Sequence, residues 1–161
     1  MMKKQSRILV AYFSATGTTM EVASNLARIA QADLHEIVPE TLYSPADLNW
    51  QDKHSRSSVE MADKSSRPSI ANRVEDMAQY DTLFVGFPIW WYIAPTIVNT
   101  FLEQYDLTGK TIVPFFTSGG SGAGETLKYL KPSAPDANWI APQNMNRMSD
   151  TEMQALLEHI L

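Results

Sequence analysis

Residues 14–19, Ser14-Ala15-Thr16-Gly17-Thr18-Thr19, place four hydroxyl side chains and one glycine directly behind an apolar run at residues 8–11. If a helix starts here, its first backbone N–H groups carry partial positive charge and lack partners within the helix. A phosphate satisfies several of them at once, with hydroxyls as extra donors and Gly17 allowing close backbone approach. Thr18 with Glu21 also matches a capping box, which needs no ligand. The stretch lacks the lysine of a nucleoside-triphosphate loop, and its single glycine is not the dinucleotide fingerprint. Between residues 8 and 27 the only charged side chain is Glu21, so neutral donors must do any binding. Such a site suits one terminal monophosphate.

Two further stretches carry chemistry. In "GFPIWWYIAP", residues 86–95, the candidates are Pro88, Ile89, Trp90, Trp91 and Tyr92, and the flat faces of the two tryptophans and the tyrosine could stack on a flat ligand or cover a partner interface. In "TSGGSGAG", residues 117–124, Thr117, Ser118, Gly119, Gly120, Ser121 and Gly122 would let backbone lie against a ring, or form a turn before a helix. A phosphate loop, an aromatic platform and a Gly/Ser strip together describe a planar heteroaromatic with a monophosphate tail, flavin mononucleotide (FMN).

These loops must be brought together by the elements between them. Residues 7–12, 82–87 and 111–116 are continuous apolar runs, the pattern of strands buried on both faces. Residues 34–38 and 137–140 read as a shorter second strand and a weak fifth. Helical spacing marks residues 18–30, 95–105, the stretch from 125, and 149–161, where Ser149 and Glu152 form a capping-box pattern. Residues 70–77 are expected to form a short helix. The polar excursion 39–68 is too long for a structureless connection, so a partly helical segment is expected near 57–62, with Trp50 packed back onto the body. Alternating strands and helices predict one α/β domain, a five-stranded parallel sheet with helices on both faces. In such sheets ligands sit beyond the carboxyl ends of the strands, where strand order reverses.

The 161 residues suffice for one domain with a sizeable core, and 44% apolar against 19% charged residues describes a globular chain. A net charge of −5 argues against nucleic acid and suits a partner with a basic face. The absence of cysteine excludes disulfides and thiolate chemistry. His35, His54 and His159 stand singly, without ligand spacing. The basic start and apolar run of "MMKKQSRILVAYF" are too short for a signal peptide, and no stretch approaches membrane-spanning length. A cytoplasmic location is expected, with no membrane partner.

The sequence resembles the flavodoxin-like proteins over nearly its whole length, through "ILVAYFSATGTT", "YDTLFVGFPIWWYIAP" and "GKTIVPFFTSGGSGAG". "EIVPETLYSPADLNW" and "SR" at 55–56 resemble a bacterial branch of that family. The resemblance implies a three-layer α-β-α fold with strand order 2-1-3-4-5. It also implies FMN held by Ser14, Thr16, Gly17, Thr18 and Thr19 at the phosphate, by residues 88–92 beside the ring, and by residues 118–122 on its other side. It further implies an electron carrier serving redox partner proteins. The alternatives are an FMN-dependent reductase taking hydride from NAD(P)H to a quinone-type acceptor, and a non-catalytic FMN-binding module. Either a monomer or a homodimer fits. The chain is less acidic than many carriers of the family, and its 39–68 excursion and the segment "APQNMNRMSD" depart from the small family pattern.

Overall fold

The computed structural model describes residues 7–15, 17–91, 93–117 and 124–161. Strand β1 (Ile8–Tyr12) leads into helix α1 (Thr18–Ala30) and edge strand β2 (Asp33–Glu36). Helix α2 (Arg56–Ala62) lies in the long excursion. Then follow β3 (Thr82–Pro88), α3 (Thr96–Glu103), β4 (Thr111–Thr117), α4 (Thr126–Leu130), β5 (Asn138–Trp139), β6 (Gln143–Asn144) and α5 (Asp150–Ile160). The sheet is parallel throughout, in the order β2-β1-β3-β4-β5, with β6 also on β4. The expected order 2-1-3-4-5 is observed.

Alternation along the strands divides the core into two layers. Leu9, Ala11, Leu83, Val85, Phe87, Ile112 and Phe116 pack with Ile97, Val98, Phe101 and Leu102 of α3. Their neighbours Ile8, Val10, Tyr12, Phe84, Val113 and Phe115 pack with α1 and α5 through Ala23, Leu26, Met153 and Leu157. Successive strand side chains point to opposite faces, so strands apolar at every position need helices on both sides. Gly86 makes room within the second layer. A Cβ there would lie 2.2 Å from Cζ of the buried Phe115 ring.

The fifth position of the sheet is filled by two short strands, and Pro114 explains the break. Lys110, Ile112 and Phe116 present their carbonyls to this edge, accepting from Asn138, Ile140 and Met145. Residue 114 points the same way, but proline has no N–H to offer. The partner strand leaves the ladder after Trp139 and rejoins at Gln143. Thus "APQNM" supplies the second half of the fifth strand.

Two local expectations are corrected. Residues 70–77 are not helical: Ile70 bridges Pro39, Ala71 N–H donates to Val38, and Asn72 bonds both Val38 N–H and the Glu36 carbonyl. This segment covers the exposed edge beside β2 instead of winding on itself, and only Met77–Gln79 makes a 3₁₀ turn. Trp50 is 69% exposed and does not pack onto the body. Tyr43 is the aromatic residue of the excursion that docks on the core, and Met61 of α2 is buried as well. The helix expected near 57–62 is present as α2, capped by the Ser55 hydroxyl, and the capping box at Ser149 and Glu152 is formed.

Candidate functional site

Backbone bonds fix the ends of β1, β3 and β4 side by side. Phe13 N–H donates to Gly86 O at 2.9 Å, and Ile89 N–H donates to Thr117 O at 3.1 Å. The chain therefore leaves β1, β3 and β4 along one edge, with β1 at the point where strand order reverses.

In the first loop, α1 begins on Gly17, whose left-handed φ of 97° suits glycine, and no side chain caps the helix. The capping box between Thr18 and Glu21 is therefore not formed. Ser14 Oγ accepts the Gly17 N–H at 3.0 Å and still has its own proton to donate. Thr18 is exposed at the first helical position. Thr19 is buried, and its hydroxyl shares a 2.8 Å hydrogen bond with that of the equally buried Thr117. This bond ties the start of the first helix to the end of β4.

In the second loop Trp90 and Ile93 exchange backbone hydrogen bonds of 2.9 and 3.2 Å, closing a tight reversal. Trp91 sits in it with φ 48° and is 42% exposed. Trp90 is half-buried and held edge-on by two rings, Phe13 at 5.7 Å and Tyr43 at 5.5 Å between centroids. Phe13 and Tyr43 meet each other edge-on at 5.6 Å. Behind them the Tyr43 hydroxyl donates to Glu60, Arg56 Nε pairs with Glu60 at 3.0 Å, and the Arg56 guanidinium lies 3.8 Å over the Tyr43 ring. Burial, and then the Glu60 carboxylate, push the Tyr43 phenol far above its ordinary range, so it stays protonated.

Of the residues expected from sequence, Ser14, Ala15, Gly17, Thr18, Pro88, Ile89, Trp90 and Thr117 lie on loops or strand ends at this edge, as do the buried Thr19 and the exposed Trp91. Thr16, Tyr92, Ser118, Gly119, Gly120, Ser121 and Gly122 lie outside the described residues. Sequence reading did not single out Phe13, Tyr43, Arg56 or Glu60. The Arg56–Glu60 spacing of four on a helix was a visible cue to their pairing.

The segments forming this edge share one chemical property. Residues 8–20, 82–102 and 111–124 contain no Asp, Glu, Lys, Arg or His. They can position a ligand through amides, hydroxyls and rings, but offer no general acid or base in the neutral range. Among the described residues no His/Cys/Asp/Glu group could hold a metal, and no helix is long and apolar enough to cross a membrane.

Comparison with known proteins agrees with this geometry. A candidate flavoprotein from Bacteroides eggerthii has 49% identity and a TM-score of 0.93, covering 97% of this chain and 98% of its own. A second, from Bacteroides uniformis, has 44% identity and a TM-score of 0.90, covering 96% and 99%. A flavoprotein from Lactobacillus acidophilus, solved in complex with FMN, shares the fold at 22% identity and a TM-score of 0.72, covering 87% and 93%. No curated protein matches. The flavodoxin family model matches residues 7–160, and the chain is a member of the flavodoxin family.

Proposed function

We propose that this chain binds FMN at the edge where β1, β3 and β4 end, and acts in electron transfer. The observation that carries the reading is the start of α1: a helix opening on a left-handed glycine with no side-chain cap, flanked by the Ser14 and Thr18 hydroxyls, with the exposed Glu21 the only charged side chain of its first turn. Unpaired N–H groups at a helix start favour an anion, and neutral hydroxyls complete the shell of a single phosphate. Trp90, its orientation fixed by Phe13 and Tyr43, offers a platform for a flat ring system. The relative from Lactobacillus acidophilus, solved in complex with FMN, supports this ligand, and the Bacteroides relatives, described as flavoproteins, support a flavin.

Bound FMN supplies the redox chemistry. The protein's part is to bind the phosphate and order the ring platform. The lack of acid–base groups in the three segments favours a carrier over an enzyme that must manage protons on a substrate. The net charge of −5 suits electron-transfer partners with basic docking faces.

An anaerobic mixing experiment tests the carrier reading. FMN-loaded protein is expected to keep its yellow colour for minutes with NADH or NADPH, yet to be reduced by light with a sacrificial donor. Rapid bleaching by either nicotinamide would assign it instead as an NAD(P)H-dependent reductase.

A further inference from the structure

We propose that Tyr43 is a positioning residue for the ligand platform, and that the 39–62 excursion serves as a buttress fixing Trp90 before ligand arrives. This rests on the FMN reading above. Most of the excursion is polar, and Leu42, Trp50 and Val59 face outward at 70%, 69% and 55% exposure, while Met61 of α2 is buried. Tyr43 supplies the excursion's aromatic contact, packing against the β1/β3 core layer and touching Trp90 and Phe13.

The three rings form a closed triangle of edge-on contacts, 5.5–5.7 Å between centroids, with interplanar angles of 65°, 72° and 86°. Each ring is thus held by two others, in the arrangement aromatic quadrupoles favour. Phe13 is 1% exposed and continues directly from β1, so one corner is immobile. Tyr43 comes from a loop and needs its own anchor. The Arg56 guanidinium covers one face of its ring at 3.8 Å, and Glu60 accepts a hydrogen bond from its hydroxyl while pairing with Arg56. Arg56 Nη1 also donates to Thr41 O at 2.6 Å, closing the loop around its own tyrosine. Every fixed group in this set acts on Tyr43, and Tyr43 acts on Trp90. A platform ordered in advance does not lose its side-chain freedom on binding, so affinity for a stacked ring rises.

The contribution is to the ring, not the phosphate, which separates it from a general structural role. Near-ultraviolet circular dichroism of the flavin-free full-length chain reports whether the Trp90 ring is ordered, with Trp90→Phe identifying its share. Tyr43→Leu is expected to reduce the spectrum to that of Trp90→Phe. It is also expected to weaken FMN and riboflavin alike, by about tenfold, the scale of one edge-on ring pair. Tyr43→Phe keeps the ring and should restore most of both. Arg56→Lys keeps the charge but not the planar stack, and is expected to fall between. It carries the test if the leucine variant does not fold, as judged by cooperative thermal unfolding. Retention of the Trp90 signal in Tyr43→Leu and Arg56→Lys would overturn the proposal. So would loss of that signal with unchanged affinity for both flavins, or a loss confined to FMN. Failure of the FMN reading itself appears separately, as absence of flavin binding by the unmodified protein.

Discussion

The double substitution Ser14→Ala with Thr18→Ala is expected to weaken FMN by about a hundredfold or more while leaving riboflavin nearly unchanged. The magnitude follows from the charge of the ligand. Hydrogen bonds to charged groups contribute ~1.5–3 kcal/mol each, so two amount to ~3–6 kcal/mol, and each ~1.4 kcal/mol is tenfold in affinity. Riboflavin lacks the phosphate and so does not use these donors. Both residues are good choices because neither hydroxyl is committed to the core: Ser14 accepts from Gly17 and retains its proton, and Thr18 is exposed at the first turn of α1. Thr19 would be a poor choice, since its hydroxyl is bonded to Thr117 in the interior and its loss would disturb the joint between two loops. Paired fluorescence titrations with FMN and riboflavin decide the matter. Equal losses for the two flavins would move the phosphate away from the start of α1.

Gly86→Ala is expected to be the most damaging single methyl addition in the sheet. The new Cβ would meet three atoms of the Phe115 ring at 2.2, 2.3 and 2.9 Å, and that ring is fully buried between β4 and the α1/α5 layer. Overpacking of this kind costs about 1–3 kcal/mol and occasionally more. With approaches this short, a loss near ~3 kcal/mol is expected. For a domain of this size that lowers the melting temperature by roughly 6–12 °C. The close approach also makes a sharper prediction. Phe115→Leu alone leaves a cavity and destabilises. Combined with Gly86→Ala, it removes the obstructing ring, so the double variant should be more stable than the two separate losses imply, by about 1 kcal/mol or more. Urea unfolding of the four proteins measures this. Strict additivity would mean that the ring moves aside freely and that the close approach at Gly86 is not what requires glycine.

The three central parallel strands were legible because β1, β3 and β4 are buried on both faces and so appear as unbroken apolar runs separated by helical periods, whereas the order 2-1-3-4-5 came from the resemblance to the flavodoxin-like proteins. Bringing the three loops to one edge followed from the parallel βαβ pattern, with no knowledge of side-chain contacts. What was not legible depended on direction or on distance along the chain. Pro114 is plain in the sequence, but its effect on the fifth strand depends on which neighbour residue 114 faces, and only the register fixes that. Thr19 carries the same chemical group as Thr18. Its place on the inward stripe with Ala23, Leu26 and Ala27 turns it from a surface donor into a buried tie. The polar excursion offered two aromatic candidates for docking. Trp50, the larger, stayed exposed, while Tyr43 found a partner site through Arg56 and Glu60. The expected helix at 70–77 was displaced by the needs of an edge strand, whose unpaired groups that segment satisfies.

The absence of lysine from the loop proposed to hold the phosphate has a physical explanation. Gly17 leaves the helix start uncapped, and the joint between Thr19 and Thr117 sets that start beside the strand end that leads into the third loop. Titrating FMN with the flavin-free chain, followed by flavin fluorescence, tests this most directly. Saturable one-to-one quenching is expected, diminished in Trp90→Phe. Flavin fluorescence that stays at its free value through a large excess of protein would contradict it.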